Sequence, residues 1–183
     1  MRRTVVRSAL SVSTAVDADL DELAAVAAAT FPLACPPTSP PEQIAAFIAA
    51  QLSARRFADY LADPSRTVLA ARDGDRIVGY AILVDGVGTD GDVARAVTIR
   101  PAVELSKIYV LPDCHGSGVA ATLMTTALDH AGAAGAGCVW LGVNQRNERA
   151  QRFYTKHGFT VTGTKTFSLG AHTEHDFVMV RRL

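Results

Sequence analysis

The stretch Ile108-Tyr109-Val110-Leu111-Pro112-Asp113-Cys114-His115-Gly116-Ser117-Gly118-Val119-Ala120-Ala121 decides how this chain is read. An apolar run meets a proline, passes two glycines one residue apart, and resumes as a helical pattern. Val119, Leu123, Met124, Ala127 and Leu128 then recur at the spacing of one helix face. The glycines let the backbone turn sharply and approach a ligand with no Cβ in the way. The first amides of the helix leave free N–H groups at its positive end, a ready seat for phosphate oxygens. Strand, glycine turn and helix in that order predict an anion-binding turn in a mixed α/β chain.

Three ligand classes use that device. A mononucleotide P-loop needs Lys and Ser or Thr after the second glycine, and Val119-Ala120 supplies neither. A dinucleotide fingerprint is formally met by Gly116-x-Gly118-x-x-Ala121. The next predicted strand, Cys138 to Val143, ends in Asn144 rather than in the acidic residue that fingerprint requires, and too little chain follows for a doubly wound sheet. The third class is the pyrophosphate of coenzyme A.

Here the chain resembles the GCN5-related N-acetyltransferase (GNAT) superfamily, from about Arg66 to the C-terminus and more weakly in the first two helices. That family's phosphate signature is Arg or Gln, two residues, Gly, one residue, then Gly or Ala. His115-Gly116-Ser117-Gly118-Val119-Ala120 keeps the glycine and alanine and sets His115 in the leading place. Backbone amides of the turn would carry most of the phosphate contact, so the departure weakens the match little. Asn147-Glu148-Arg149-Ala150 and Phe153-Tyr154-Thr155-Lys156-His157-Gly158-Phe159 resemble the second signature of the family, an Asn, a Phe-Tyr pair and a Gly-Phe. The resemblance implies an α/β (α+β) GNAT fold: a mixed sheet of about six to seven strands, splayed at the fourth and fifth, flanked by about four helices. It implies acetyl-CoA as cofactor, bound by Ile108, Tyr109, Val110, His115, Gly116, Ser117, Gly118, Val119, Ala120, Ala121, Asn147 and Tyr154.

Working outward, Val5 to Val12 alternates like a strand, and Asp17 to Thr30 reads as a helix capped by Asp17 and ended by Pro32. Five of the eight prolines fall between Pro32 and Pro41, a stiff loop. Pro41 suits the first turn of a second helix, with helical character continuing to Leu61. Thr67–Ala71 and Ile77–Val84 form a hairpin about Asp73-Gly74-Asp75, and Asp85 to Asp92 reads as a mobile Gly/Asp loop. Asn147 to His157 is a helix stopped by Gly158; Phe159–Thr164 and His175–Val180 close as strands. Neither repeats nor a boundary interrupt the pattern, so residues 1–183 are expected to form one domain.

The strand before the turn carries a shift of phase. Val103 and Leu105 are apolar at odd positions, Ile108 and Val110 at even ones, so one extra residue is expected as a β-bulge near Ser106-Lys107. Such a bulge would splay this strand from the one at Cys138 to Val143. Backbone groups left unpaired in the wedge would suit the two amides of a pantetheine arm.

Acetyl transfer to an amine with a pKa of about 10.4 requires a base, help for the oxyanion and a proton for the thiolate. Glu104, on that strand among Ala102, Val103 and Leu105, is the candidate base, a surface glutamate being the competing reading. Tyr154 is the candidate acid for a thiolate whose conjugate pKa is about 8.5; a core aromatic is its alternative. Asn147 and Tyr154 are two helical turns apart, about 10.5 Å along one face, so both can meet the same groove. The resemblance implies these roles for Tyr154 and Asn147. The backbone N–H of Val110 is expected at the oxyanion. Cys114 reads as a small loop residue. His172 and His175, three apart on a strand, point to opposite faces, so no metal site is expected.

The 18 basic and 18 acidic residues cancel, which gives no basic field for nucleic acid or anionic membrane. Three cysteines without metal spacing, no apolar segment after Met1-Arg2-Arg3, and no long apolar run predict a cytoplasmic chain. A homodimer would be in keeping with such a domain. Asp17, Asp19, Asp21, Glu22, Asp85, Asp90 and Asp92 would favour a small cationic amine as substrate, if several line the pocket. Glu104-Leu105-Ser106-Lys107-Ile108-Tyr109-Val110, Phe167-Ser168-Leu169-Gly170 and Asp176-Phe177-Val178-Met179 are similar to the bacterial spermidine/spermine N-acetyltransferase branch, as are Phe31, Tyr60-Leu61 and Gly79-Tyr80. That similarity implies a polyamine. A protein N-terminus or lysine as acceptor, and a non-catalytic acyl-CoA sensor, stay open as alternatives.

Overall fold

Two strands that begin side by side and then part organise this chain. The structure, a computed structural model, describes residues 10–169 and 171–183. Its elements run β1 (Leu10–Thr14), α1 (Leu20–Ala34), α2 (Pro41–Gln51), α3 (Ala54–Ala62), β2 (Arg66–Asp73), β3 (Arg76–Asp85) and α4 (Gly91–Ala96). There follow β4 (Ala102–Val110), α5 (Val119–Ala133), β5 (Cys138–Asn144), α6 (Glu148–Lys156), β6 (Thr160–Leu169) and β7 (His172–Arg182). The seven strands form one sheet in the order β1-β2-β3-β4-β5-β7-β6. Only β4 and β5 pair in parallel, because α5 carries the chain back between them.

Alternation along the strands divides the core by face. Leu69, Val78, Leu83, Leu105, Val139, Leu141 and Met179 pack with Leu123 and Met124 of α5. On the other face Tyr80 and Ile82 pack with Leu23 and Phe31 of α1, Leu52 just after α2 and Phe57 of α3. A smaller group, Trp140, Val178 and Val180, is covered by Val93 of α4.

The bulge stands where the phase shift predicts it. Leu83 pairs with Leu105 and Ile82 with Lys107, leaving Ser106 as the extra residue. The β4–β5 ladder consists of Ala102↔Cys138, Val103↔Val139 and Glu104↔Trp140, and beyond Glu104 the strands separate. This is the expected splay between the fourth and fifth strands.

The helices differ from expectation. Six α-helices flank the sheet among the described residues, rather than about four. The segment after Leu52 is a separate helix, α3, capped by Ser53 Oγ accepting the Arg56 N–H at 3.4 Å. The expected loop leads directly into α4, where Asp90 Oδ1 accepts the Asp92 N–H at 2.8 Å and Val93 is 1 % exposed. Six residues are too few for a helical period to declare itself. Pro32 lies inside α1, which continues to Ala34: its missing N–H forfeits one bond, to the Ala28 carbonyl, and that loss falls in the last turn, where the helix ends soon after. Asp17 does not cap α1. It opens a 3-10 turn over Asp17–Asp19, and Asp19 Oδ2 accepts the Val16 N–H at 2.9 Å. Of the first predicted strand, residues 5–9 lie outside the described residues, and the pairing with β2 runs over Leu10–Thr14.

Candidate active site

The parted ends of β4 and β5 open a cavity of about 410 Å³. Glu104 to Val110 form one wall and Gly142 to Asn144 the other. The end of α1, α6 and the β6–β7 hairpin close it with Phe31, Cys35, Tyr154, Lys165 and Asp176 among others. Leu111 N–H bonds the Val78 carbonyl at 2.9 Å. By the two-residue alternation of an antiparallel ladder, the N–H groups of Val110 and Ile108 therefore face away from β3, into the wedge. The glycine turn closes its far end. Gly116 (φ 80) and Gly118 (φ 91) stand in the left-handed region, and Gly118 begins α5 with no side-chain cap, so the first amides of α5 remain available as donors. Free amides at a helix start and along a splayed strand suit a phosphate and an amide-bearing arm, so these residues fit coenzyme A.

Among the expected site residues, Glu104, Ile108, Tyr109, Val110, His115, Ala120, Asn147 and Tyr154 line the cavity. Gly116, Ser117, Gly118 and Ala121 are exposed beside it, and Val119 buries its side chain in the core, leaving only main-chain atoms to offer. Asn147 Oδ1 accepts the Ala150 N–H at 3.1 Å and so caps α6, a task apart from any ligand. Cys114 does not line the cavity.

His115 is tied on both sides. Its Nε2 lies 3.0 Å from the Val110 carbonyl and its Nδ1 3.1 Å from the Arg149 guanidinium. A carbonyl only accepts and a guanidinium only donates, so the proton sits on Nε2. Arg149 was not among the expected residues, although it sits within the Asn147-Glu148-Arg149-Ala150 motif.

Desolvation shifts Glu104, Asp176, Lys107 and Tyr154 in the cavity. Burial raises the Glu104 carboxyl, against the opposing pull of Lys165, Lys107 and Arg66. It raises Asp176 as well and lowers Lys107. The Tyr154 hydroxyl is pushed up to about 12 by burial, so it holds its proton at neutral pH. Its ring packs edge-on against Phe153 and Phe159, at centroid distances of 5.6 and 6.0 Å.

None of the seven acids expected to favour a cationic substrate lines the cavity. Four of them have structural partners: Asp19 binds Arg72 at 2.6 Å, Glu22 accepts the Ile77 N–H at 2.8 Å, Asp90 caps α4, and Asp92 pairs with Arg95. The cavity instead draws its acids from β4 and β7, as Glu104, Glu174 and Asp176, with Lys107 and Lys165 beside them. Strand alternation could have put these on one face, but pairing β6 with β7 and bringing both beside β5 required the tertiary fold.

A sheet parted after three parallel pairs, with an uncapped helix at the end of the wedge, defines an acyl-CoA-binding type of fold. Residues 27–159 match the Acetyltransferase (GNAT) family. The chain is 58 % identical over 165 residues to an uncharacterised N-acetyltransferase of Mycobacterium tuberculosis (strain ATCC 25618 / H37Rv), covering 90 % of this chain and 98 % of that one. It is 30 % identical over 148 residues to the mycothiol acetyltransferase of Propionibacterium freudenreichii, spanning 81 % of this chain and 42 % of that protein. The same fold is seen in the PaiA N-acetyltransferase of Thermoplasma acidophilum in complex with coenzyme A. There the TM-score is 0.75 at 19 % identity, over 96 % of this chain and 99 % of that one. The chain belongs to the GNAT family and is an acetyltransferase.

Proposed function

We propose that this enzyme moves the acetyl group of acetyl-CoA directly to a small primary amine, with Glu104 as base and Tyr154 as acid. The observation that carries the reading is the β4–β5 ladder ending at Glu104↔Trp140 and opening into a cavity that Tyr154 also lines. Acetyl-CoA supplies the activated acyl group as a thioester. Glu104, with an affinity for protons raised by burial, takes a proton from the amine. The Val110 N–H, facing the wedge, meets the oxygen as it gains charge. Tyr154 gives its proton to the departing sulfur. The first amides of α5, from Val119 to Ala121, and Arg149 beside His115 hold phosphate.

A polyamine acceptor, implied by the resemblance to the spermidine/spermine branch, would need an acidic pocket. The acids counted on for that role stand elsewhere, and the cavity's own Glu104, Glu174 and Asp176 are accompanied by Lys107 and Lys165, so the acceptor is assigned here only as a small primary amine. The test is thiol release from acetyl-CoA with spermidine, spermine, amino acids, other small amines and N-terminal peptides, on wild type and Tyr154→Phe. Turnover of one small-amine class, with kcat of the variant reduced and its affinity for acetyl-CoA kept, supports the reading. Preference for peptides moves the acceptor to proteins. Acetyl-CoA binding without turnover of any amine favours a sensor.

A further inference from the structure

Five charged residues, Glu104, Lys107, Lys165, Glu174 and Asp176, share the face of the sheet that bears the acceptor end of the cavity. Glu104 and Lys107 stand on β4 opposite Val84 and Ile82, and the bulge at Ser106 keeps them on one face. Glu104 pairs with Trp140, two residues from Gly142; Asn144 pairs with Asp176, and Asp176 with Lys165. Gly142 has no side chain where these groups converge. A Cβ there would lie 2.5 Å from Lys165 Cε, 3.3 Å from Lys165 Nζ and 3.4 Å from Asp176 Oδ2.

These charges do not neutralise one another by contact. Among the described residues no ion pair within 4.0 Å joins any two of Glu104, Lys107, Lys165 and Asp176, although Lys165 and Asp176 are cross-strand partners. Among the described residues Lys107 Nζ hydrogen-bonds Ser106 Oγ alone, at 3.5 Å, and Lys165 Nζ lies 6.0 Å from the Trp140 ring centre. Glu174 differs, since it accepts from Asn144 Nδ2 at 3.2 Å. Glu104 and Asp176 act on these ammonium groups only at a distance, so their N–H donors stay open to a carboxylate that reaches them directly. A polyamine would meet the carboxylates but also set further ammonium groups beside both lysines, a like-charge juxtaposition that a zwitterion avoids while still offering its amine to Glu104.

We propose that the acceptor is a zwitterion, a primary amine carrying a carboxylate a few bonds away as in a free amino acid. Lys107 and Lys165 hold the carboxylate, and the amine is presented to Glu104. This rests on the transferase reading and narrows its substrate. In the reaction the amine nitrogen bonds to the acetyl carbon and the carbon–sulfur bond breaks, its electron pair staying on sulfur. The ammonium loses two protons overall. One ends on the thiol through Tyr154 and the other leaves to solvent through Glu104. The acceptor carboxylate is unchanged, and nothing is oxidised or reduced.

The test separates binding from turnover. Calorimetry with the CoA-loaded enzyme compares common free amino acids with their C-terminal amides and with spermidine, and thiol release is measured on the same panel. The expected result is that at least one amino acid binds about ten- to a hundred-fold more tightly than its amide, the range for a hydrogen bond to a charged group. Lys165→Met and Lys107→Met should each shrink that ratio while leaving acetyl-CoA affinity unchanged. Amides or spermidine binding as well as the acids overturns the inference, whether or not they are acetylated. An unchanged acid-to-amide ratio in both lysine variants overturns it too. If amino acids bind preferentially yet no amine is acetylated, the zwitterion site stands and the transferase proposal fails. If spermidine turns over and no amino acid binds, the reverse holds.

Discussion

His115 Nε2 donates to the carbonyl oxygen of Val110 at 3.0 Å, so the residue that opens the glycine turn is fastened to the last residue of the splayed strand. Arg149 reaches the other ring nitrogen from α6, and one imidazole therefore joins both sides of the wedge. In the proposed mechanism these are the carrier of the oxyanion donor and the holders of phosphate. Arg149→Ala should raise KM for acetyl-CoA about ten-fold, the effect of one hydrogen bond to a charged group, and leave kcat nearly unchanged. Initial rates at varied acetyl-CoA check it; a fall in kcat at constant KM would remove Arg149 from the binding role.

Tyr154→Phe keeps the ring contacts with Phe153 and Phe159 and deletes only the hydroxyl. Loss of a general acid should lower kcat by about a hundred-fold or more. Equilibrium binding of acetyl-CoA, followed by calorimetry, should stay within a few-fold of wild type.

Glu104 gives a pH dependence whose sign follows from burial. A base works deprotonated, so kcat/KM should rise with pH through a pKa above the ordinary carboxylate range. Glu104→Gln should abolish that limb and lower the rate by about a hundred-fold. A limb at the ordinary carboxylate pKa, or one that survives in the variant, would assign the base elsewhere.

The same shift has a consequence for stability. A carboxyl whose folded pKa is raised stabilises the fold fully below its unfolded pKa, about 4.3 for glutamate, and that contribution is lost as pH rises through the folded value. Glu104→Gln should therefore raise Tm at pH 7, with the difference vanishing near pH 4. Thermal melts across this range measure it.

Gly142→Ala should be tolerated by the fold, since its Cβ would press on the flexible end of Lys165, at 2.5 Å from Cε, rather than on backbone. Displacing that ammonium should raise KM for the acceptor several-fold and leave KM for acetyl-CoA alone. Gly79→Ala makes the contrast. Its Cβ would stand 2.8 Å from the Tyr109 carbonyl oxygen and 3.1 Å from Leu123 Cδ1, backbone and core that cannot yield, so a loss of about 1–3 kcal/mol is expected in denaturant unfolding.

What the sequence determined is what short-range physics controls. The glycines before Val119, the helical period after it, and the change of apolar phase between Leu105 and Ile108 encoded the turn, α5 and the bulge at Ser106. Each is a property of a few consecutive residues, set by steric freedom or by the two-residue period of a strand. Cavity walls are not of that kind. Asp17, Asp19, Asp21 and Glu22 look like a binding face in one dimension, yet Asp19 and Glu22 are bound by Arg72 and the Ile77 amide. Lys165 lies just past the predicted strand Phe159–Thr164 and Asp176 stands out only in a stretch similar to one branch of the family, and pairing in register beside Gly142 brings both to the site. Arg149 reaches His115 only because β5 and α6 return to the turn that α5 left. Sheet order and register bring distant residues together through contacts summed over the whole sheet, and no window of sequence contains that sum.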